Sequence, residues 1–266
     1  MKALSLKEKA STPKAERPVR VDSTLSKGLQ VLEALAKSRS GKGVTELSRE
    51  LDLTKSNTFR LLQTLTVLGY VRSTKSKSYI ATLKTWQVGR AVVENLNLRE
   101  LAAPEMQMLS KETREAIYLA VPENLSVVYI DKIESVQPIR SWNPIGGSAP
   151  IHCVATGKAI LAANYDSLRD QITGNLTRYT DRSITTNKAL DADVAATLKR
   201  GYAIDTGEYR DRIYSFGAAI CLPDGEAIAA LGVSVPDVNL PDDGEKVIGE
   251  LVKSAAHNVS LRLARS

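Results

Sequence analysis

The chain is short of the residues that most often carry chemistry: among 266 residues there are two cysteines, two histidines, two phenylalanines and two tryptophans. Cys153 and Cys221 are too few for a disulfide framework, and their apolar neighbours predict small buried thiols. With only His152 and His257 beside them, no metal-ligand spacing forms, and neither a metal nor a cofactor is expected. There is no His-Glu-x-x-His pair and no Gly-x-Ser-x-Gly elbow. Gly157-Lys158 resembles the end of a phosphate loop, but the required earlier glycine is His152 and the following Ser/Thr is Ala159. An enzyme is therefore not expected. No run of 18 apolar residues occurs, and the N-terminus carries scattered lysines without a hydrophobic block. Neither a membrane span nor a secretory leader is expected, and the chain reads as cytoplasmic.

What is present is ordinary globular composition, 43% hydrophobic and 25% charged, at a length that suits two domains. The net charge of +6 is unevenly spread: residues 1–99 hold 19 Lys+Arg against 8 Asp+Glu, whereas residues 100–266 hold 17 against 22. Residues 1–20 read as a basic flexible arm, yet the excess persists without them, at 13 against 6. A basic module joined to an acidic domain suits a polyanion partner, because neutralising phosphates drives sequence-independent DNA affinity.

Residues 21–82 read as a winged helix-turn-helix. Leu25, Leu29, Leu32 and Ala36, widened by Val31 and Leu35, predict one amphipathic helix with Ser23 or Thr24 as its cap. After Gly41-Lys42-Gly43, Thr45 caps a short second helix whose Leu47 and Leu51 face inward. Thr54 caps a third, with Phe59, Leu62 and Leu65 inward and Gly69 as a left-handed stop. Its other face gathers Lys55, Ser56, Asn57, Thr58, Arg60 and Gln63, with no acid among them. In a helix-turn-helix such donors enter the major groove of double-stranded DNA, where Arg, Asn and Gln pair with base edges. Two short strands around Lys75 and Lys77 complete a wing, and Thr45 joins the DNA-facing set. The competing reading is a protein-docking winged helix, which the acid-free face disfavours.

Residues 83–99 carry a helical pattern with Trp86 and Val93 apolar, a linker that serves as core or dimer contact. A further helix is expected from Leu101 to Lys111, after Pro104. Residues 100–266 then predict an α+β domain. Its strands fall at 116–121, 126–133, 138–142, 216–222 and 227–235, and its helices at 156–163, 190–200 and 243–264. The Ala155-Thr156-Gly157 helix start fits either plain capping or a cradle for a carboxylate at a positive dipole end.

These motifs resemble the IclR family of bacterial transcription regulators over roughly residues 22–262. The carrying segments are Ser26-Lys27-Gly28-Leu29-Gln30-Val31-Leu32, Lys55 through Leu65 and Leu68-Gly69-Tyr70-Val71 in the basic module. In the second domain they are Gly146 through His152, Ala155-Thr156-Gly157-Lys158-Ala159-Ile160-Leu161-Ala162 and Gly201-Tyr202-Ala203-Ile204-Asp205 to Glu208. The resemblance implies a GAF-like effector domain whose antiparallel sheet and helices bind a small organic acid, aromatic acids included. It implies the acid's carboxylate at Ala155 and Thr156. Other matching pocket positions are Ser141, Ala149, Asp205, Ile213, Ser215, Gly232 and Ser234. Asp205, Ser215 and Ser234 would hydrogen-bond a hydroxyl, Ile213 would form apolar wall, and Gly232 would let a ligand approach the backbone.

This sequence departs from the pattern at Gly232, where the family can carry a polar side chain, at the bulkier Pro138 and Trp142, and at Leu83 to Gly89. The implied assembly is a homodimer or homotetramer holding operator half-sites. The rivals are an architectural DNA binder without a ligand and an enzyme with a DNA-binding appendage.

Overall fold

The computed structural model describes residues 22–94 and 97–265; the basic arm lies outside them. The chain divides into two compact units, residues 1–91 and 92–266.

In the first unit, α1 (Ser23–Ala36) is capped by neither Ser23 nor Thr24 but by Asp22, which accepts a hydrogen bond from the Leu25 amide at 2.8 Å. Its buried stripe is Val31, Ala34 and Leu35. Leu25 and Leu29, expected inward, are 64% and 50% exposed. At about 100° per residue they lie roughly a third of a turn or more around the helix from that stripe. Helix α2 (Val44–Glu50) starts after Gly43, so Thr45 lies within it and is no cap. Helix α3 (Lys55–Val67) is capped by Thr54 as expected.

The α3 core stripe is Thr58, Leu61, Leu62 and Leu65, so Phe59 falls on its flank and is largely exposed. Thr58 tolerates full burial because its hydroxyl donates to the Thr54 carbonyl at 3.0 Å. Beyond α3, Gly69 adopts φ +80°, and Lys84 donates to the Leu68 carbonyl at 2.7 Å, covering the negative helix end. Strands β1 (Val71–Ser73) and β2 (Tyr79–Ala81) pair antiparallel, and Lys42 exchanges backbone hydrogen bonds with Tyr79 as a third rung. Helix α4 (Lys84–Glu94) leaves Trp86 and Val88 exposed.

In the second unit, α5 (Leu98–Thr113) begins earlier than its pattern suggested and takes Pro104 into its second turn. The sheet has six antiparallel strands in the order β5-β4-β3-β8-β7-β6. They are β3 (Ala116–Glu123), β4 (Ser126–Ile133), β5 (Ser148–Pro150), β6 (Ala203–Thr206), β7 (Ile213–Cys221) and β8 (Ala227–Pro236). Residues 138–142, expected as a strand, are irregular: Pro138 and Pro144 supply no amide donors, and β5 takes that edge.

Period-two alternation divides the sheet into two apolar faces. Ile117, Leu119, Leu231 and Val233 pack against α5 and α9 (Gly244–Leu263). Ala116, Tyr118, Val127 and Tyr129 face α6 (Ala155–Ala163), around which lie α7 (Tyr165–Ile172) and α8 (Asn187–Arg200). Strand β6 and helix α7 had no sequence expectation. The site lies on this second face.

Candidate functional site

Register builds the site. Asp205 pairs with Ser215, Ser215 with Ser234 and Ser234 with Ala116, which makes a polar cross-strand row. The next row is Ala203, Gly217, Gly232 and Tyr118. Helix α6 starts directly on this second row. A Cβ on Gly217 would lie 2.5 Å from the Ala155 carbonyl carbon and oxygen, and one on Gly232 would lie 2.5 Å from the Thr156 methyl. Small residues here let a helix N-terminus touch the sheet.

Above the polar row is a narrow cleft of about 30 Å³, partly open to solvent. Of the nine positions implied by resemblance, Ser141, Thr156, Asp205, Ile213, Ser215, Gly232 and Ser234 line it. Ala149 does not: it sits on β5 opposite Val127, inside the apolar core. Ala155 is buried as well, and its amide is already taken, donating to the Ser215 hydroxyl at 3.3 Å. Ser215 in turn donates to Asp205 at 2.8 Å. The start of α6 is thus capped from β7 rather than left open, and the ready carboxylate cradle narrows to Thr156. Gly232 lines the cleft by its backbone, and the Thr156 methyl fills the space that a side chain there would take. The Thr156 hydroxyl is buried and has no hydrogen-bond partner.

Two carboxylates stand close to α6. Asp205 accepts from the Gly207 and Glu208 amides at 2.9 and 2.7 Å, yet burial pushes its pKa up to about 6. Burial likewise raises Glu208, to about 7, against the pull of Lys158. Lys158 is almost wholly buried and contacts Glu208 at 2.6 Å, Asp193 at 3.0 Å and the Ile204 carbonyl at 2.6 Å. Burial alone would lower its pKa; the two carboxylates raise it. The phosphate-loop lookalike is therefore an internal ion pair. Burial also lowers His152, whose Nε2 lies 3.1 Å from the Thr177 carbonyl, and pushes the Cys153 thiol up to about 12. Neither group titrates as a nucleophile or an exposed base.

Sequence reasoning missed the cleft's aromatic and cationic walls. Tyr118 and Tyr129 lie on the cleft side of β3 and β4 with ring centroids 5.0 Å apart, a placement that strand alternation already contains. Tyr209 and Arg210 come from the loop after β6. Arg210 donates to the Trp142 carbonyl at 2.8 Å, tying that loop to the 138–146 segment across the mouth.

In the first unit Lys55, Ser56, Arg60 and Gln63 are exposed along α3, and Asn57 is half-buried. Thr58 is withdrawn from this set: its hydroxyl is buried and spent on Thr54. Phe59 takes its place on the outer face. Thr45 is exposed on α2, and Lys75 and Lys77 are exposed in the wing turn. Among the described residues, none of Lys55, Arg60, Lys75 and Lys77 forms an ion pair, so their charge is available to a partner. Arg49 and Arg72, not singled out from sequence, are exposed on α2 and β1.

Residues 24–75 match the IclR helix-turn-helix domain, and residues 90–261 match the C-terminal domain of the bacterial transcriptional regulator IclR. The chain is 31% identical over 251 residues to the HTH-type transcriptional regulator KdgR of Escherichia coli, covering 93% of this chain and 95% of that protein. It is 31% identical over 246 residues to the E. coli transcriptional repressor IclR, covering 90% and 89%. Its fold is similar to that of Thermotoga maritima IclR, with TM-score 0.75, 26% identity and coverage of 91% and 98%. It is also similar to that of an IclR homologue from Microbacterium hydrocarbonoxydans crystallised with 4-hydroxybenzoate, with TM-score 0.78, 22% identity and coverage of 92% and 100%. With a helix-turn-helix unit, an α+β effector unit and family matches across both, the chain belongs to the IclR family of transcriptional regulators.

Proposed function

We propose that this regulator binds operator DNA through residues 21–82 and that a small organic acid, held in the cleft of residues 100–266, modulates that binding through the 83–99 linker. In this reading Lys55, Ser56, Asn57, Arg60 and Gln63 address the major groove, with Phe59 offering an apolar contact to a thymine methyl. Thr45, Lys75 and Lys77 hold phosphates. The chain acts in the cytoplasm as a homodimer or homotetramer, because a reader of one groove needs a second half-site about one helical turn away. Among the described residues no helix is long and apolar enough to cross a membrane.

One observation carries the acid-effector reading: the positive end of α6, at Val154 and Thr156, opens on an aromatic-walled cleft. Tyr118, Tyr129 and Tyr209 suit a ring, and a protein of the same fold holds 4-hydroxybenzoate. Coupling between the sites is expected at roughly 1–3 kcal/mol, or 5- to 150-fold in operator affinity, and reciprocal. An electrophoretic-shift titration on the DNA upstream of the gene, with and without small carboxylic acids, tests this. A specific complex that such acids shift supports the proposal; no specific complex at moderate salt overturns it.

A further inference from the structure

The two phenylalanines of the chain have opposite surroundings. Phe216 is fully buried in the core of the second unit, whereas Phe59 is 45% exposed on α3. Helix spacing explains where Phe59 points. The α3 core stripe is Thr58, Leu61, Leu62 and Leu65. Ser56, Phe59, Arg60 and Gln63 repeat that spacing two positions out of step, which at about 100° per residue turns them to the opposite side of the helix. All four are exposed. Phe59 therefore stands amid the outward donors, beside Arg60 and in the second turn of α3, near the end that a helix-turn-helix presents to base edges. Charge identifies what covers this face. No acid occurs along α3, and the same unit exposes Lys55, Arg60, Arg72, Lys75 and Lys77, which suits a polyanion. Within the major groove the apolar group on a base edge is the 5-methyl of thymine.

Resting on the operator reading above and deepening it, we infer that Phe59 makes α3 depend on a thymine 5-methyl lying one base step from a guanine that Arg60 addresses. Consecutive Cα atoms are about 3.8 Å apart, close to the roughly 3.4 Å rise between bases, so neighbouring side chains on this face meet neighbouring base pairs. Arg60 reads its base by hydrogen bonds; Phe59 reads its base by burying a methyl against the ring. Uracil or unmethylated cytosine at that step leaves the ring in water.

The test uses the full-length protein and the DNA upstream of its gene, amplified with dTTP, with dUTP in its place, or with 5-methyl-dCTP in place of dCTP. In gel shifts against unrelated competitor DNA, the uracil fragment is expected to bind about fourfold more weakly for each half-site, the worth of one buried aliphatic carbon. Interference mapping locates the groups: partial uracil substitution should block binding at a thymine in each half-site, and guanine N7 methylation should block it at the adjoining base pair. Phe59→Ala should bind the thymine and uracil fragments within about twofold of each other and lose the uracil interference. Arg60→Ala should lose the guanine interference and keep the thymine preference. Phe59→Leu, which retains an apolar contact, keeps part of that preference. Because Phe59 is exposed, the alanine variant should unfold within about 3 °C of the parent. Equal binding of the thymine and uracil fragments by the parent overturns the inference. So does a uracil penalty that survives Phe59→Ala, since it would belong to DNA shape. Tighter binding to the 5-methylcytosine fragment with no uracil penalty would overturn thymine as the source of the methyl. Equal loss of both fragments on Phe59→Ala would place the ring in a protein contact instead. If the parent forms no specific complex on the thymine fragment, the operator reading itself fails, and this inference with it.

Discussion

Two helix starts, those of α3 and α6, show two ways of making a recognition surface. The α3 start is self-contained: Thr54 caps it at 3.3 Å, Lys55 and Ser56 stand exposed in its first turn, and among the described residues Lys55 and Arg60 form no ion pair. The α6 start is assembled from elsewhere. It has no side-chain cap of its own, is buried from Ala155 to Ala162, and takes its cap from Ser215 on β7. A surface for a polyanion can be built from neighbouring residues because solvent supplies the low-energy resting state. An enclosed site cannot, because each polar group must find a partner or await a ligand.

Breaking the α6 arrangement should have the larger effects. Lys158→Met leaves Glu208 and Asp193 without their shared cation and is expected to destabilise the chain by about 3–5 kcal/mol in urea unfolding. A loss under about 1 kcal/mol would show the network to be no stronger than a surface pair.

Next is the pH dependence of Asp205. Burial raises its folded-state pKa to about 6, above the ordinary carboxylate value near 4, so its contribution is full below about pH 4 and lost as pH rises through 6. The stability difference between the parent and Asp205→Asn should fall by on the order of 3 kcal/mol from pH 4 to pH 7. The comparison with asparagine cancels His152, whose lowered pKa acts in the opposite direction. A flat difference would place Asp205 in contact with water.

Gly217→Ala forces a Cβ into the α6 backbone and should destabilise by about 1–3 kcal/mol. An unchanged denaturation midpoint would mean that α6 can lift from the sheet. On the α3 side, Arg60→Ala should weaken specific operator binding by about 1–3 kcal/mol and non-specific binding less, whereas Lys75→Ala should weaken both alike, read by gel shift at two salt concentrations. Equal losses from both changes would remove Arg60 as a base reader. The smallest effect is a gain: Gly28→Ala, mid-helix in α1 and 3.9 Å from Leu61, should stabilise by about 0.5–1 kcal/mol.

The same contrast decides what the sequence could tell. Charge, caps and turn residues reveal exposed local structure, so the three short helices, the wing and the run of α3 donors follow directly from residues 24–80. Which flank of a wide apolar arc is buried depends on the neighbouring helix, and so Leu25, Leu29 and Phe59 were turned inward and Thr58 outward. The cleft was legible only in part. Ser215, Ser234 and Asp205 share a row through register across three strands, and no local pattern encodes that. The ion pair of Lys158 with Glu208 joins residues 50 positions apart. Residues 138–142 have β-like composition, but Pro138 within them and Pro144 just beyond exclude the ladder.

The sheet order carries a kinetic consequence. Strand β8, ending at Pro236, lies between β3 and β7 at the centre of the sheet, and β3 begins at Ala116. More than a hundred residues must leave the ribosome after β3 before its central neighbour exists, a non-local pairing of the slow kind. The contacts of the winged module lie within the first 91 residues. A nascent chain therefore completes its N-terminal unit early, well before the second unit can close its sheet.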